Sequence, residues 1–207
     1  MIRIIKELES IVTTFSMALI FFIVTNPIGN CPTIIALIKD HSIKDQQKIL
    51  FRESIFSFLI ALFFLFLGES LENNLCIKGY ALSISGGILL LIIAFSMIFS
   101  EFQEGPSTKP KQDPYIVPIA GPLLSGAGLL TMIMLYSKQE ANDLKIFFAI
   151  LIAWIGITAV LVTAPYLQII FGKRGLAALE QLMGMLLAMI ATEMIVKGTT
   201  LFIQALA

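Results

Sequence analysis

The chain has 207 residues, of which 57% are hydrophobic and 14% are charged, and its mean hydropathy is +0.92. Soluble domains contain about 45 to 50% apolar residues, so this composition indicates an integral membrane protein. The formal net charge is zero and no block of like charges occurs, which excludes a nucleic-acid-binding surface and a polybasic tail.

Six apolar segments are long enough to cross a bilayer, since a spanning helix needs about 20 mostly apolar residues. In chain order they run over Ile11–Ile38, Leu50–Leu67, Ala81–Phe99, Ile116–Ser137, Leu144–Phe171 and Leu176–Ile203. We therefore predict an all-α polytopic membrane protein in which residues 1–207 form one integral membrane domain. A small-residue cleavage pattern does not follow the first segment, which argues against a secretory signal peptide.

The first predicted span is interrupted by the sequence VTNPIGNCP. Pro27 has no N–H group and its ring clashes with the preceding turn, so the backbone after it should leave the helical ladder. Irregular backbone persists at membrane depth only where it is buried in protein or lines a wet cavity. Gly29 permits close approach of a ligand, while Asn26 and Asn30 supply hydrogen-bond donors and acceptors. This segment is our first candidate solute-binding site.

Two charged residues, Arg52 and Glu53, lie at the predicted start of the second span. Long side chains near a helix end can place their apolar stems along the bundle and their charged groups in the headgroup region. We therefore expect both charges to lie at the membrane interface.

A polar, proline-rich loop separates the third span from the fourth. Residues 100–115 include the sequence EGPSTKPKQDP, which is unsuited to a helix and typical of a linker. We predict that this loop is a cytoplasmic hinge between repeat one, about residues 11–99, and repeat two, about residues 116–203.

The fourth predicted span carries a second set of helix-breaking residues. Its sequence, PIAGPLLSGAG, resembles the interruption in the first span because proline and glycine again stand beside a hydrogen-bonding side chain. The candidate binding residues here are Gly121, Pro122, Ser125, Gly126 and Gly128. Breaks in matching spans favour a site, although a single kink in a membrane helix usually only shapes the fold.

The third and sixth spans also correspond. Shifting the third span by 98 positions places Gly86 on Gly184, Leu89 on Leu187 and Ile92 on Ile190. Each repeat has an odd number of spans, so the two copies cross the membrane in opposite directions, as in many secondary transporters. The glycines at 86, 87 and 184, with Ala188 and Thr192, are best explained as close helix contacts.

Glu193 is the ionisable residue farthest from the predicted ends of the sixth span. It precedes Lys197 by four positions, an order that favours an ion pair along one helix face. The alternative is a proton-coupling carboxylate, because ionisable residues inside membranes are often functional. The sequence leaves both readings open.

The distribution of Lys and Arg predicts the orientation. Five of them accompany the N-terminus and the second and fourth loops: Arg3, Lys6, Lys78, Lys138 and Lys145. Eight occupy the first, third and fifth loops: Lys39, Lys44, Lys48, Arg52, Lys109, Lys111, Lys173 and Arg174. Both termini are therefore predicted to be periplasmic.

The motifs quoted above resemble the MarC family of bacterial inner-membrane proteins, which is related to the LysE exporter superfamily. The same resemblance holds for ISGGILLLIIAFSMI in the third span and for GESLENNLCI before it. The resemblance implies six spans with periplasmic termini, and some similar proteins are described as transporters of small neutral amino acids. This chain departs from the family pattern at Ala127, where proline is usual. It also departs at Ser83 and Gln181, where a basic residue is frequent.

A function in transport explains these patterns better than a function in catalysis. The chain has no catalytic motif and no cofactor or metal motif, and its cysteines, Cys31 and Cys76, are too few and too far apart for a disulfide framework. We predict a secondary transporter of a small neutral or zwitterionic solute, such as a small amino acid, with a proton or sodium as coupling ion. A passive channel and a structural or stress-associated membrane protein stay open as alternatives, and a homo-oligomer is compatible with either.

Overall fold

The structure, a computed structural model, describes residues 2–38, 41–99, 126–140 and 142–206. This part of the chain forms α1 (Ile2–Thr25), α2 (Cys31–Ile38), α3 (Ile43–Asn74), α4 (Gly79–Ile98), α5 (Ala127–Gln139), α6 (Asp143–Leu167) and α7 (Arg174–Leu206). Helical hydrogen bonding continues from α6 into α7, but Gly172 adopts φ 64° and ψ 178°, which separates the two helices. The described residues contain no strand, so the predicted all-α class is confirmed.

Four of the described helices, α3, α4, α6 and α7, are long and apolar enough to cross a membrane. The apolar part of α1, Val12–Thr25, is shorter than these four. Several long apolar helices confirm a polytopic membrane protein. The predicted six spans and the hinge loop involve residues 100–125, which lie outside the described residues, so the repeat count stays a prediction.

Many large apolar side chains are exposed on the described helices, and the mostly apolar interior also contains polar side chains. Phe15, Ile155 and Met189 are more than 60% exposed, as expected for side chains that face lipid. Among the described residues, the buried polar side chains belong to Thr25, Asn26, Gln46, Glu53, Ser54, Ser57, Glu72, Ser83 and Thr131. Because hydrocarbon cannot hydrogen-bond, these groups gain from burial between helices.

The second span is longer than its apolar segment suggests. Ser42 caps α3 by accepting a hydrogen bond from the Asp45 N–H at 3.3 Å, and its hydroxyl donates to Asp45 Oδ2 at 2.6 Å. This N-cap starts the helix seven residues before Leu50, the predicted first residue. Hydropathy detects only the apolar centre of a helix, so it missed both polar ends.

Glycines bring α4 and α7 into close antiparallel contact. A Cβ atom on Gly87 would lie 2.8 Å from the Ala191 carbonyl oxygen, and one on Gly184 would lie 3.1 Å from the Ala94 carbonyl oxygen. The predicted role of these glycines as helix contacts is therefore confirmed. Gly86 faces α5 instead, since a Cβ there would lie 2.8 Å from Thr131 Cβ.

Polar contacts fix the register of α3 against α6. The Trp154 indole donates to the Ser54 carbonyl at 3.1 Å, and the Ser54 and Thr158 hydroxyl oxygens are 2.5 Å apart. Two turns toward the start of α3, the Gln47 side-chain amide donates to the Val162 carbonyl at 3.1 Å. These bonds place residues 53–54 opposite the middle of α6.

Candidate solute-binding site

The first candidate segment interrupts the helix, as the sequence predicts. α1 ends at Thr25, α2 begins at Cys31, and turns connect them. Asn26 has φ 50°, in the left-handed region that asparagine adopts more readily than most residues. Its carbonyl accepts from the Asn30 N–H at 3.1 Å, and the Ile28 carbonyl accepts from the Cys31 N–H at 3.1 Å. The break is therefore a defined pair of turns.

Side chains of the segment bond the backbone groups that the break releases. Asn26 Oδ1 accepts from the Gly29 N–H at 3.1 Å, and Asn30 Nδ2 donates to the Thr25 carbonyl at 3.1 Å. The Cys31 thiol donates to the Pro27 carbonyl at 3.1 Å. Both asparagines thus act first as local caps.

Tight packing surrounds the first break. Asn26 is 2% exposed and its Nδ2 donates to Met97 Sδ at 2.9 Å. A Cβ on Gly29 would collide with the Met97 side chain and would lie 2.5 Å from Asn26 Nδ2. Met97 belongs to the last turn of α4, so the break lies level with one end of that helix. Pro27 is also buried, and Asn30 is half-buried.

The second candidate segment is described from Gly126 onward. Gly121, Pro122 and Ser125 lie outside the described residues. Gly126 is the N-cap of α5 and makes no side-chain cap bond. Gly128 is buried, and a Cβ on it would lie 2.5 Å from Leu90 Cγ, near the middle of α4.

The two candidate segments meet the same helix. Gly29 lies against Met97 and Gly128 lies against Leu90, and these two residues are seven positions apart on one face of α4. The helices that follow the segments begin at Cys31 and Ala127, which are 96 positions apart, close to the shift of 98 between the predicted repeats. α4 is therefore the common support for both segments.

Glu193 and Lys197 form the ion pair that their spacing predicts. Glu193 Oε1 lies 3.3 Å from Lys197 Nζ, and the side chains are 62% and 65% exposed. Ser83 Oγ donates to the Met194 carbonyl at 2.8 Å, which places Glu193 opposite the second turn of α4. The pair borders a cavity of about 290 Å³ that Tyr136 also lines.

Glu53 and Glu72 are the functional candidates that the sequence reasoning missed. Both carboxylates are completely buried, and one oxygen of each, Oε2, lacks a hydrogen-bond partner within the described residues. Glu53 does not extend its carboxylate to the surface as the sequence predicts, because the side chain is completely buried. Arg52 is 43% exposed and its Nη2 lies 2.9 Å from Glu53 Oε1, so only the arginine extends outward. Glu53 faces inward because its face of α3 is covered by other helices.

A helical repeat of small residues could have revealed this buried face. Residues at intervals of three or four, Glu53, Ser57, Ala61, Leu65, Gly68 and Glu72, are all buried on α3. The C-terminal part of this face contacts α5, since a Cβ on Gly68 would lie 2.7 Å from Met134 Cγ and Lys138 pairs with Glu72.

Removing the partner of Glu72 should destabilise the protein. Lys138→Ala leaves a buried carboxylate without its cation, so we expect the free energy of unfolding to fall on the order of 2 kcal/mol, less than for a fully buried pair because Lys138 is 34% exposed. Unfolding in detergent measures the change. Lys145→Ala is the control, because its pair with Glu140 is partly exposed at both ends and should contribute less than about 1 kcal/mol. Equal losses in the two variants would contradict the prediction.

Similar proteins identify the family to which this arrangement belongs. The family model described as MarC family integral membrane protein matches residues 11–203. The chain is 35% identical over 191 residues to the UPF0056 inner membrane protein YhgN of Escherichia coli (strain K12), covering 91% of this chain and 97% of that protein. It is 34% identical over 184 residues to a UPF0056 membrane protein of Buchnera aphidicola subsp. Schizaphis graminum, covering 88% of this chain and 94% of the relative.

A third relative aligns over a similar share of both chains. A UPF0056 membrane protein of Chlamydia trachomatis is 33% identical over 186 residues, which cover 89% of this chain and 91% of the relative. No solved structure matches this chain significantly. The family match covers all six predicted spans, and this chain belongs to the MarC family of integral membrane proteins.

Proposed function

We propose that this protein is a secondary transporter of a small neutral or zwitterionic solute, such as a small amino acid, working by alternating access. The observation that carries the proposal is the start of α5 inside the bundle. Gly126 provides no side-chain cap for this helix, and Gly128 lies against Leu90, the twelfth of the twenty residues of α4. A helix therefore begins near the middle of a spanning neighbour.

A helix start in that position suits a carboxylate. The first N–H groups of a helix have no intrahelical acceptor, and the helix dipole adds partial positive charge there. Buried helix starts therefore attract anionic groups, including the carboxylate of an amino acid. We assign this recognition to the segment that includes Gly126 and Gly128, with Gly121, Pro122 and Ser125 as its predicted continuation.

The first break would complete the site from the other repeat. Asn30 is half-buried. We propose that its side-chain oxygen and the carbonyl oxygens of residues 26–30 accept hydrogen bonds from the ammonium group of the solute. A structural role is the second candidate function. It is favoured by the bonds within the break, because Asn26 Oδ1 and Asn30 Nδ2 already bond to backbone groups of that segment.

Alternating access requires one contact between the proposed repeats to open. α3 and α5 belong to different repeats and are joined at one end by the Glu72–Lys138 ion pair. One turn deeper, Gly68 lies against Met134. We propose that these two contacts close one entrance to the site, and that they separate when the protein opens to that side.

The remaining parts of the proposal concern the location, the orientation and the energy source of the protein. We place the protein in the bacterial inner membrane with both termini in the periplasm, driven by a proton or sodium gradient and without enzymatic activity. In the described part of the chain, three or more His, Cys, Asp or Glu residues do not come together as a metal site would require. Transport through binding and conformational change needs no such site.

Reconstitution in liposomes tests the function directly. The purified protein would be assayed with labelled alanine, glycine and serine, with and without proton or sodium gradients. We expect saturable counterflow of at least one solute. Linear flux that does not saturate would indicate a channel, and absence of flux for all solutes would favour the structural role.

A capping substitution tests the site itself. Gly126→Ser supplies a hydroxyl that bonds the first N–H groups of α5, so we expect KM to rise while the free energy of unfolding stays the same or increases by less than about 0.5 kcal/mol. Lys78→Ser is the matched control, because Lys78 is the N-cap of α4 and also makes no side-chain cap bond. Equal transport in the two variants would contradict the assignment.

A further inference from the structure

Glu53 is a carboxylate held entirely inside the helix bundle. Its side chain has no exposed surface, and Oε1 accepts from Arg52 Nε at 3.2 Å and from Arg52 Nη2 at 2.9 Å. Oε2 has no hydrogen-bond partner within the described ranges. An ionised carboxylate can accept several hydrogen bonds, so Oε2 has acceptor capacity that no described group uses.

The position of Glu53 along the membrane normal follows from the register of α3 and α6. Its neighbour Ser54 bonds to Trp154 and Thr158, which belong to the middle of α6. Glu72 lies 19 residues further along α3, about 28 Å away at the helical rise of about 1.5 Å per residue. Glu53 is thus well separated from the end of the bundle where Lys138 binds Glu72.

Among the described residues, few charged groups lie near Glu53. Arg52 lies on the same helix and pairs with Oε1. The opposing segment of α6 contributes Trp154, Thr158 and the Val162 carbonyl, none of which titrates. The basic residue of α5, Lys138, is paired with Glu72. Arg52 is therefore the cation that competes with a proton for this carboxylate.

We propose that Glu53 is the proton-binding residue of the transporter, an inference that rests on the proposed transport function. Oε2 accepts a proton from a hydronium ion on one side of the membrane, which leaves a water molecule and a neutral carboxyl group. Neutral Glu53 no longer attracts Arg52, whose half-exposed side chain moves toward the interface. On the other side the O–H group gives its proton to water, and the Arg52–Glu53 ion pair re-forms.

The structure favours Glu53 over Glu193 for this role. Glu193 is 62% exposed and already pairs with Lys197 at the border of the cavity that Tyr136 lines. A group that couples proton movement to a conformational change must be shielded in one state and reach water in another. Glu53 is shielded, its Oε2 has no partner in the described part of the chain, and its Oε1 is paired with the half-exposed Arg52.

Substitution of Glu53 tests the proposal in liposomes with the full-length protein. Glu53→Gln preserves shape but cannot release a proton, so accumulation of labelled alanine driven by a pH gradient should be lost while counterflow without a gradient is retained. Glu69→Gln is the matched control, because Glu69 is an exposed carboxylate on the same helix. It should retain both activities. Infrared spectroscopy of the purified protein should show a protonated-carboxyl band that forms on acidification and is missing in Glu53→Gln.

Three results would overturn the proposal. The first is normal pH-driven accumulation in Glu53→Gln. The second is loss of pH-driven accumulation in Glu193→Gln but not in Glu53→Gln. The third is the loss of both counterflow and pH-driven accumulation in Glu53→Gln, since Glu53 would then support solute binding or folding. If the wild-type protein shows no flux of any solute, the proposed transport function fails, and the infrared band alone decides whether Glu53 binds a proton.

Discussion

Replacing Asn26 with alanine should lower the free energy of unfolding by about 3 kcal/mol. Asn26 has φ 50°, and alanine in the left-handed region costs about 1 to 2 kcal/mol. The substitution also removes the acceptor of the buried Gly29 N–H and the donor to Met97. An unpaired buried N–H group lowers the free energy of unfolding by a further amount of about 1 to 3 kcal/mol. Chemical or thermal unfolding in detergent measures the total.

Two controls separate the contributions. Asn26→Gly adopts the same φ without strain but still lacks the side chain, so it should lose only about 1 to 2 kcal/mol. Cys76→Ala keeps a non-glycine residue at φ 52° on an exposed turn, and we expect a change within about 0.5 kcal/mol. Wild-type stability in Asn26→Ala would show that the break does not depend on this side chain.

The same packing couples transport to folding in this segment. The sequence predicts that Asn26→Ala or Gly29→Leu abolishes transport and leaves the protein folded. A Cβ on Gly29 would already collide with Met97, and Asn26 supports the turn, so both substitutions should disturb the fold as well. Loss of transport in either variant does not by itself identify a solute contact.

Gly87→Ala should destabilise the protein by about 2 to 3 kcal/mol, a typical cost of overpacking. The new Cβ would lie 2.8 Å from the Ala191 carbonyl oxygen and 2.7 Å from Ile195 Cγ1. A side chain can change rotamer, but a backbone oxygen moves only if α4 and α7 separate. Since close approach is what holds membrane helices together, the effect should be larger than that of a surface substitution.

Gly79→Ala is the matched control for this experiment. It introduces the same methyl group into the same helix, but no atom of the described residues lies within 4 Å of the new Cβ. We expect its free energy of unfolding to be unchanged or up to about 1 kcal/mol higher, because alanine restricts the unfolded chain. Unfolding of both variants in the same detergent gives the comparison. Equal stability would mean that α4 and α7 are not closely packed at Gly87.

The sequence by itself determined that the protein lies in a membrane, to which family it belongs, and where its first helix breaks. Long apolar segments can be satisfied only in lipid, and proline at position 27 removes a helical hydrogen bond wherever the chain is placed. The glycine contacts at 87 and 184 were also predictable, because glycines in apolar helices usually mark close approach. These are local properties of composition and backbone chemistry.

Only the tertiary structure decided which charged groups are buried. Hydropathy treats Glu53, Glu72 and Glu193 alike, yet the side chains of the first two are completely buried and that of the third is 62% exposed. Their positions depend on how each helix is rotated and on which neighbour covers it, and neighbours distant in sequence set both. The pairing of Glu72 with Lys138 joins residues 66 positions apart, and the level of the first break is fixed by Met97, 71 positions from Asn26.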